Sequence, residues 1–152
     1  MEKVLSRINL EYAACVTLLT SLFGVYWYMF AAFMLLNITD YATGLYKARI
    51  NKKESSYKGV QGIAKKVGYW LMIGIAFFIS YFFRDLGTII GIDLEITALI
   101  GWFTLGTFII NEIRSILENL VEIGVEVPKW LIKGLEVADK KINNAAGKDD
   151  DK

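Results

Sequence analysis

An all-α integral membrane protein, with three to four transmembrane helices and a C-terminal amphipathic helix, is the fold class this sequence predicts. Three observations lead there. Of 152 residues, 55% are hydrophobic and 14% aromatic, above the roughly 45–50% apolar share of a soluble domain even on a count that includes Gly. The charges are gathered in blocks, which leaves residues 12–39, 67–83 and 96–111 with none. Only one proline is present, Pro128, and turn-rich strand segments do not recur, which argues against a β-barrel.

A bilayer core about 30 Å thick takes about 20 apolar residues of helix, with a range of about 17–25. The window at 12–39 is too long for one perpendicular span: at about 1.5 Å per residue it reaches roughly 42 Å. Tyr26, Trp27 and Tyr28 would then lie mid-membrane, although Tyr and Trp prefer the headgroup level. The sequence is therefore read as broken near Gly24, with a short helix before it and a span after it. One tilted helix is the alternative. The window at 67–83 is just long enough, with Lys66 and Arg84 snorkelling at its ends. The window at 96–111 is slightly short and carries Asn111 and Glu112 into the membrane margin. Expected helices cover about 8–23, 26–48, 61–84 and 96–123, making a transmembrane domain of residues 1–123. Residues 124–152 form a cytoplasmic amphipathic helix and a charged tail. Glu2, Glu11 and the uncharged windows downstream fit poorly with a cleaved leader.

Orientation follows the lysines. The linker after the second helix holds Lys47, Arg49, Lys52, Lys53, Lys58, Lys65 and Lys66 against one acid, Glu54. The last segment is also lysine-rich, whereas the connection before the fourth helix holds Asp85, Asp93 and Glu95 around Arg84. The positive-inside rule then places the linker and the C-terminus in the cytoplasm. Lys52, Lys53, Lys58, Lys65 and Lys66 are expected at the membrane surface, drawn to anionic headgroups. An inside N-terminus, favoured by Lys3 and Arg7, makes four crossings; three crossings fit the other reading of the first window.

Polar residues inside the spans are the informative ones, because a mid-membrane carboxylate costs about 2.5–3.5 kcal/mol on insertion scales. Asn37, Asp40, Gly44 and Ala48 recur at helical spacing, with Thr43 beside them. Met34, Ile38, Tyr41 and Leu45 make an apolar flank. In the last span, Asn111, Ser115, Glu118 and Glu122 share a stripe, flanked by Glu112 and Arg114. These residues either pack helices together or line an aqueous path. Asp40 calls for a cationic partner at the cytoplasmic edge, Lys66 or Arg114, and Arg114 can also reach Glu118 at i,i+4. Ser55 or Ser56 can cap the helix that follows the linker. From about Pro128 to Asn144, an apolar stripe of Trp130, Leu131, Leu135, Ala138 and Ile142 suits the membrane surface or self-association. Residues 145–152 are small and charged, the composition of a disordered end. The Lys148–Lys152 string resembles part of a protease tag and equally a natural charged tail.

Several functions are disfavoured. Histidine is absent, which removes the commonest general base and metal ligand. The single cysteine, Cys15, sits in apolar company and is read as a buried or lipid-facing hydrophobe. No catalytic, cofactor-binding or metal-binding residue emerges. Gly59, Gly62, Gly68 and Gly74 match no phosphate-loop spacing. A net charge of +1 predicts no nucleic-acid partner.

Three stretches together resemble the phage holin family that includes clostridial toxin-secretion holins. They are Asp40-Tyr41-Ala42-Thr43-Gly44, residues 55–66 ending in Gly62-Ile63-Ala64-Lys65-Lys66, and Asn111-Glu112-Ile113-Arg114-Ser115-Ile116-Leu117-Glu118-Asn119, which continues through Gly124 and Val127-Pro128 to Leu131. The similarity covers roughly residues 25–135. It implies a small protein of the bacterial cytoplasmic (inner) membrane that oligomerises and opens lesions, releasing an endolysin or, in some relatives, a toxin. It implies no enzyme activity and no cofactor. Its expected partners are the lipid bilayer, further copies of itself and the released cargo. A few helices cannot enclose an opening for a folded enzyme, so many copies are required. A narrow ion channel or small transporter using Asn37, Asp40 and Glu112, and a membrane adaptor, are the alternatives.

Overall fold

The computed structural model describes residues 11–18, 20–21 and 24–147. The described elements are helical, with no strand among them. Helix α1 covers Trp27–Ile50, α2 Ser56–Ile90, α3 Ala98–Glu122 and α4 Lys129–Ala145; a short 3-10 turn, Glu95–Thr97, precedes α3. Two compact units divide between Met34 and Leu35, within α1. The second carries the features described below.

Residues 11–18 and 20–21 are helical, and the helical state is interrupted at Gly24, whose φ is +73°. L side chains rarely adopt that backbone. Other parts of the expected 8–23 helix, and the tail beyond residue 147, lie outside the described residues. Cys15 is exposed.

Two helical runs are long and apolar enough to cross a bilayer, Ser56–Ile90 with 35 residues and Glu95–Glu122 with 28. The sequence predicts three to four, and the described residues supply two. Helix α1 has the length, at 24 residues, but Asn37, Asp40 and its Thr and Tyr residues dilute its apolar character. Only 22% of the apolar window in each of the two runs is buried. A helix at the centre of a water-soluble domain would bury most of it.

Helix α2 extends beyond the expected 61–84 at both ends. The basic stretch from Ser56 is continuous with the apolar part, and Ser55 precedes it with extended backbone and no side-chain cap bond. At the far end Gly91 takes φ +73°, and the Ile92 amide bonds the Gly87 carbonyl at 2.9 Å. A Cβ at Gly87 would lie 2.6 Å from the Ile92 carbonyl oxygen, so glycine permits the tight reversal into α3.

The resulting antiparallel hairpin is held by small residues and rings. The Gly101 amide donates to Ser80 Oγ at 3.1 Å, and Phe77 meets Trp102 edge-on at 5.0 Å. Tyr69 stacks on Phe108 at 4.4 Å. A Cβ at Gly101 would sit 2.7 Å from the Phe77 ring. Buried positions on α2 are Ile73, Ala76, Ser80 and Gly87; Leu71, Ile75 and Phe78 point outward at 58–68% exposure. Small groups face the neighbouring helix and large apolar groups face outward. Lipid-exposed helices pack in this way, because close approach rather than water exclusion drives their association.

Helix α4 departs from expectation. Instead of standing free for a membrane surface, it runs back along α3, and Arg114 Nη2 bonds Asp139 Oδ2 at 2.9 Å. The site of a Gly106 Cβ lies 3.3 Å from Ile142 Cδ1. The reversal uses Gly124 at φ +89° and Pro128, the residue just before α4. Leu131, Leu135, Ala138 and Ile142 become half-buried, while Trp130 stays 74% exposed.

Candidate functional site

The second unit is organised around a polar clamp. On α1, Asn37 is buried and Asp40, Thr43 and Gly44 are half-buried, whereas Leu35, Ile38, Tyr41 and Leu45 are exposed. The helix thus turns its polar stripe inward and its apolar flank outward. That is the orientation expected where the surrounding solvent is hydrocarbon. Thr43 Oγ1 donates to the Thr39 and Asp40 carbonyls at 3.0 Å each, so its hydroxyl is satisfied within the helix.

Lys66 of α2 reaches between two carboxylates. Its Nζ lies 2.8 Å from Asp40 Oδ2 and also donates to Glu112 Oε2 of α3. The Lys66, Asp40 and Glu112 side chains are 14%, 16% and 3% exposed. Asn119, one heptad beyond Glu112, donates from Nδ2 to Asp40 Oδ1 at 3.0 Å and to Thr43 Oγ1 at 3.2 Å. Three helices are thereby joined by charge-assisted hydrogen bonds. Of the two cations considered for Asp40, Lys66 makes the contact. Arg114 binds Asp139 of α4 instead, and its expected bond to Glu118 does not form: docking of α4 offers a closer carboxylate.

With all groups ionised, two carboxylates and one ammonium leave an excess negative charge. Lys65 and Arg114 are close by and line a cavity of about 500 Å³ with Asn111, Glu112, Ser115 and Glu118. Lys65 Nζ also sits 5.7 Å above the Tyr69 ring. On another side of the clamp a cavity of about 470 Å³ is lined by Gly44, Lys53, Lys58, Asn119 and Glu122. Asp40, Gly62, Lys66 and Ser115 border both. Lys47 bonds Glu122 at 3.2 Å, and Arg49 bonds Glu54 at 3.0 Å. Lys52 is exposed, with φ +52°.

The clamp has a definite depth. From Lys66 to Arg84 is eighteen residues of α2, about 27 Å of rise, close to one hydrocarbon thickness. The clamp therefore marks the basic edge of the apolar slab, and Arg84, paired with Asp85 at 3.7 Å, marks the acidic edge. Among the described residues, no group of His, Cys, Asp and Glu is arranged to hold a metal ion. The clamp's bonds join α1 to the α2–α3 hairpin, and lipid has no groups to replace them, whereas water does.

Sequence reasoning did not single out Asn119 or Asp139. A signal for Asn119 was available, since seven residues separate it from Glu112 and bring both to one helical stripe. Asp139 had no such signal, because its role depends on α4 folding back.

The chain matches the bacteriophage holin family over residues 17–140. An uncharacterised protein of Halalkalibacterium halodurans is 31% identical over 90% of this chain and 95% of its own length. A 14.9 kDa protein encoded in the nagH 3′ region of Clostridium perfringens is 31% identical over 95% of this chain and 98% of its own. A probable holin of Bacillus phage phi105 is 29% identical over 77% of this chain and 78% of its own. No solved structure gives a significant match. With apolar helices that face outward and a match across most of its length, the chain belongs to the bacteriophage holin family.

Proposed function

We propose that this protein is a holin that accumulates in the bacterial cytoplasmic membrane, oligomerises, and opens lesions that release an endolysin or toxin. The observation that carries this reading is the clamp of Asp40, Lys66, Glu112 and Asn119, closed between helices whose outward faces are apolar along the spans. Such a chain rests in lipid while its polar groups satisfy one another. When many copies rearrange, the same groups can face water at little cost, so a polar interior is available only to the assembly. Moving one charge through the whole membrane field is worth about 2.3 kcal/mol per 100 mV, comparable with the cost of exposing a carboxylate to lipid. Collapse of the potential is the trigger this energy scale suggests.

In this reading the protein is multi-pass and not an enzyme. The α2–α3 hairpin supplies two crossings. Helix α1, with the helical residues before Gly24, supplies one or two more. The basic end and the C-terminus are cytoplasmic.

Controlled expression in a bacterium, with and without a cytoplasmic endolysin, tests the function. Abrupt lysis only when the endolysin is present is the expected result. A narrow conducting path is the second reading, favoured by the two cavities that meet at the clamp. Release of a reporter enzyme from spheroplasts separates them, since a narrow path passes ions alone.

A further inference from the structure

We propose that the basic end of the three-helix unit holds the phosphate headgroup of an anionic membrane lipid, with the glycerol backbone and first acyl carbons laid in the adjoining groove between α1 and α2. The inference rests on the membrane placement proposed above and adds a specific ligand site to it.

Charge accounting inside the 470 Å³ cavity is the first ground. Its carboxylates are already engaged: Asp40 by Lys66, Glu54 by Arg49 and Glu122 by Lys47. Lys53 and Lys58 line the same cavity. Among the described residues, neither has a carboxylate within ion-pair distance. These two ammonium groups outnumber the one excess negative charge of the clamp, so a net positive charge faces a space large enough for a headgroup, with Asn51 and Ser55 as further polar lining. A phosphate diester carries the complementary charge, and ammonium–phosphate contacts are among the stronger hydrogen bonds available.

The second ground is what lies next to that cavity. A groove of about 380 Å³ shares Tyr41, Leu45, Glu54, Ser55 and Gly59 with it, holds Arg49 paired to Glu54, and continues onto Val60 and Ile63. Val60 and Ile63 are 65% and 51% exposed. A polar cavity with an excess of positive charge thus opens into a groove of mixed lining, whose exposed apolar residues Val60 and Ile63 lie on the headgroup side of the Lys66 clamp. Inorganic phosphate would occupy only the first part. A lipid fills both, and basic pockets between helices on the cytoplasmic side are where anionic headgroups are bound.

The full chain, reconstituted in phosphatidylcholine vesicles doped with phosphatidylglycerol and extracted in mild detergent, is examined by native mass spectrometry for retained lipid. We expect preferential retention of phosphatidylglycerol. The double variant Lys53→Gln/Lys58→Gln lowers that preference on the order of tenfold, and Val60→Asn/Ile63→Asn lowers retention as well. Lys140→Gln/Lys141→Gln, on the outer side of α4, leaves it unchanged. Circular dichroism checks that each variant keeps its helix content. An equal loss in the Lys140/Lys141 variant would overturn the site in favour of diffuse surface attraction. Displacement by soluble glycerophosphate as effective as by lipid would overturn the acyl groove. Resistance of the protein to alkaline carbonate extraction is scored separately. An integrated protein with no lipid preference sinks this inference alone, whereas a chain stripped from membranes by carbonate sinks the membrane reading beneath it.

Discussion

The two ends of the α2–α3 hairpin are built on different physics. Toward the reversal at Gly91, contacts are close and nearly uncharged: Gly101 against Phe77, Ser80 against the Gly101 amide, Phe77 against Trp102. Toward the basic end, the same helices meet through Lys66 and Glu112, and α1 joins through Asp40 and Asn119. Dispersion contacts are indifferent to voltage and to water, so the first end is suited to persist through any rearrangement. Charged contacts weaken steeply once water enters, so the second end is suited to let go. On the proposed holin function, a chain that rests in lipid and later opens needs both, and separating them along one hairpin would let the opening end change without unfolding the other.

The largest effect is expected at the clamp. Lys66→Met leaves Asp40 and Glu112 buried without a cation, and losing one partner of a buried pair costs about 3–5 kcal/mol. The variant should fail to accumulate in the membrane fraction, as read by immunoblot, and lysis should be lost. Exchanging charges, Asp40→Lys with Lys66→Asp, should recover part of that accumulation; Asp40→Lys with Arg114→Asp should not, because Arg114 faces Asp139. Rescue by the Arg114 exchange instead would disprove the contact assignment.

A smaller and different effect is expected at the other end. Gly101→Ala puts a methyl against the Phe77 ring, an overpacking worth about 1–3 kcal/mol. Thermal denaturation in detergent should shift down, and lysis timing should track stability rather than membrane potential. If Gly101→Ala and a clamp variant changed the voltage dependence of lysis alike, the division between a persisting end and an opening end would fail.

Asn119→Ala removes one donor from Asp40 while keeping the Lys66 contact, a change of about 1–2 kcal/mol. It should advance lysis without preventing accumulation, which would locate the trigger at the junction of α1 with the hairpin. The smallest effect is expected for Asp139→Asn. The Arg114–Asp139 pair is partly exposed, with side chains 43% and 22% accessible, so it contributes roughly 0.2–1 kcal/mol. Faster proteolysis at residues 124–128 is the expected sign that α4 has loosened. The difference from wild type should shrink as salt is raised.

Much of this was legible in the residue order. Charge-free windows located α2 and α3, because the cost of a charge in hydrocarbon writes itself into composition. Gly24 and Pro128 marked breaks, since backbone constraint is local. Asp40 could be singled out, and its partner narrowed to Lys66 or Arg114, from depth alone. The choice between them could not be made there: it depends on which face each helix turns inward, and that is settled by the close approach of α2 and α3 at Ser80 and Gly101. At α1 length and hydropathy part company, because the residues that build the clamp also make the helix less apolar than α2 and α3.

The sequence by itself determined a helical membrane protein with a basic end, an acidic end and costly polar groups near the basic one, because transfer free energies depend on residue type and spacing. Only the tertiary structure decided that one lysine serves two carboxylates, that Asn119 completes the clamp, and that α4 folds back on α3. Those outcomes depend on the rotation and separation of helices far apart in the chain, and side-chain packing across the whole unit fixes them.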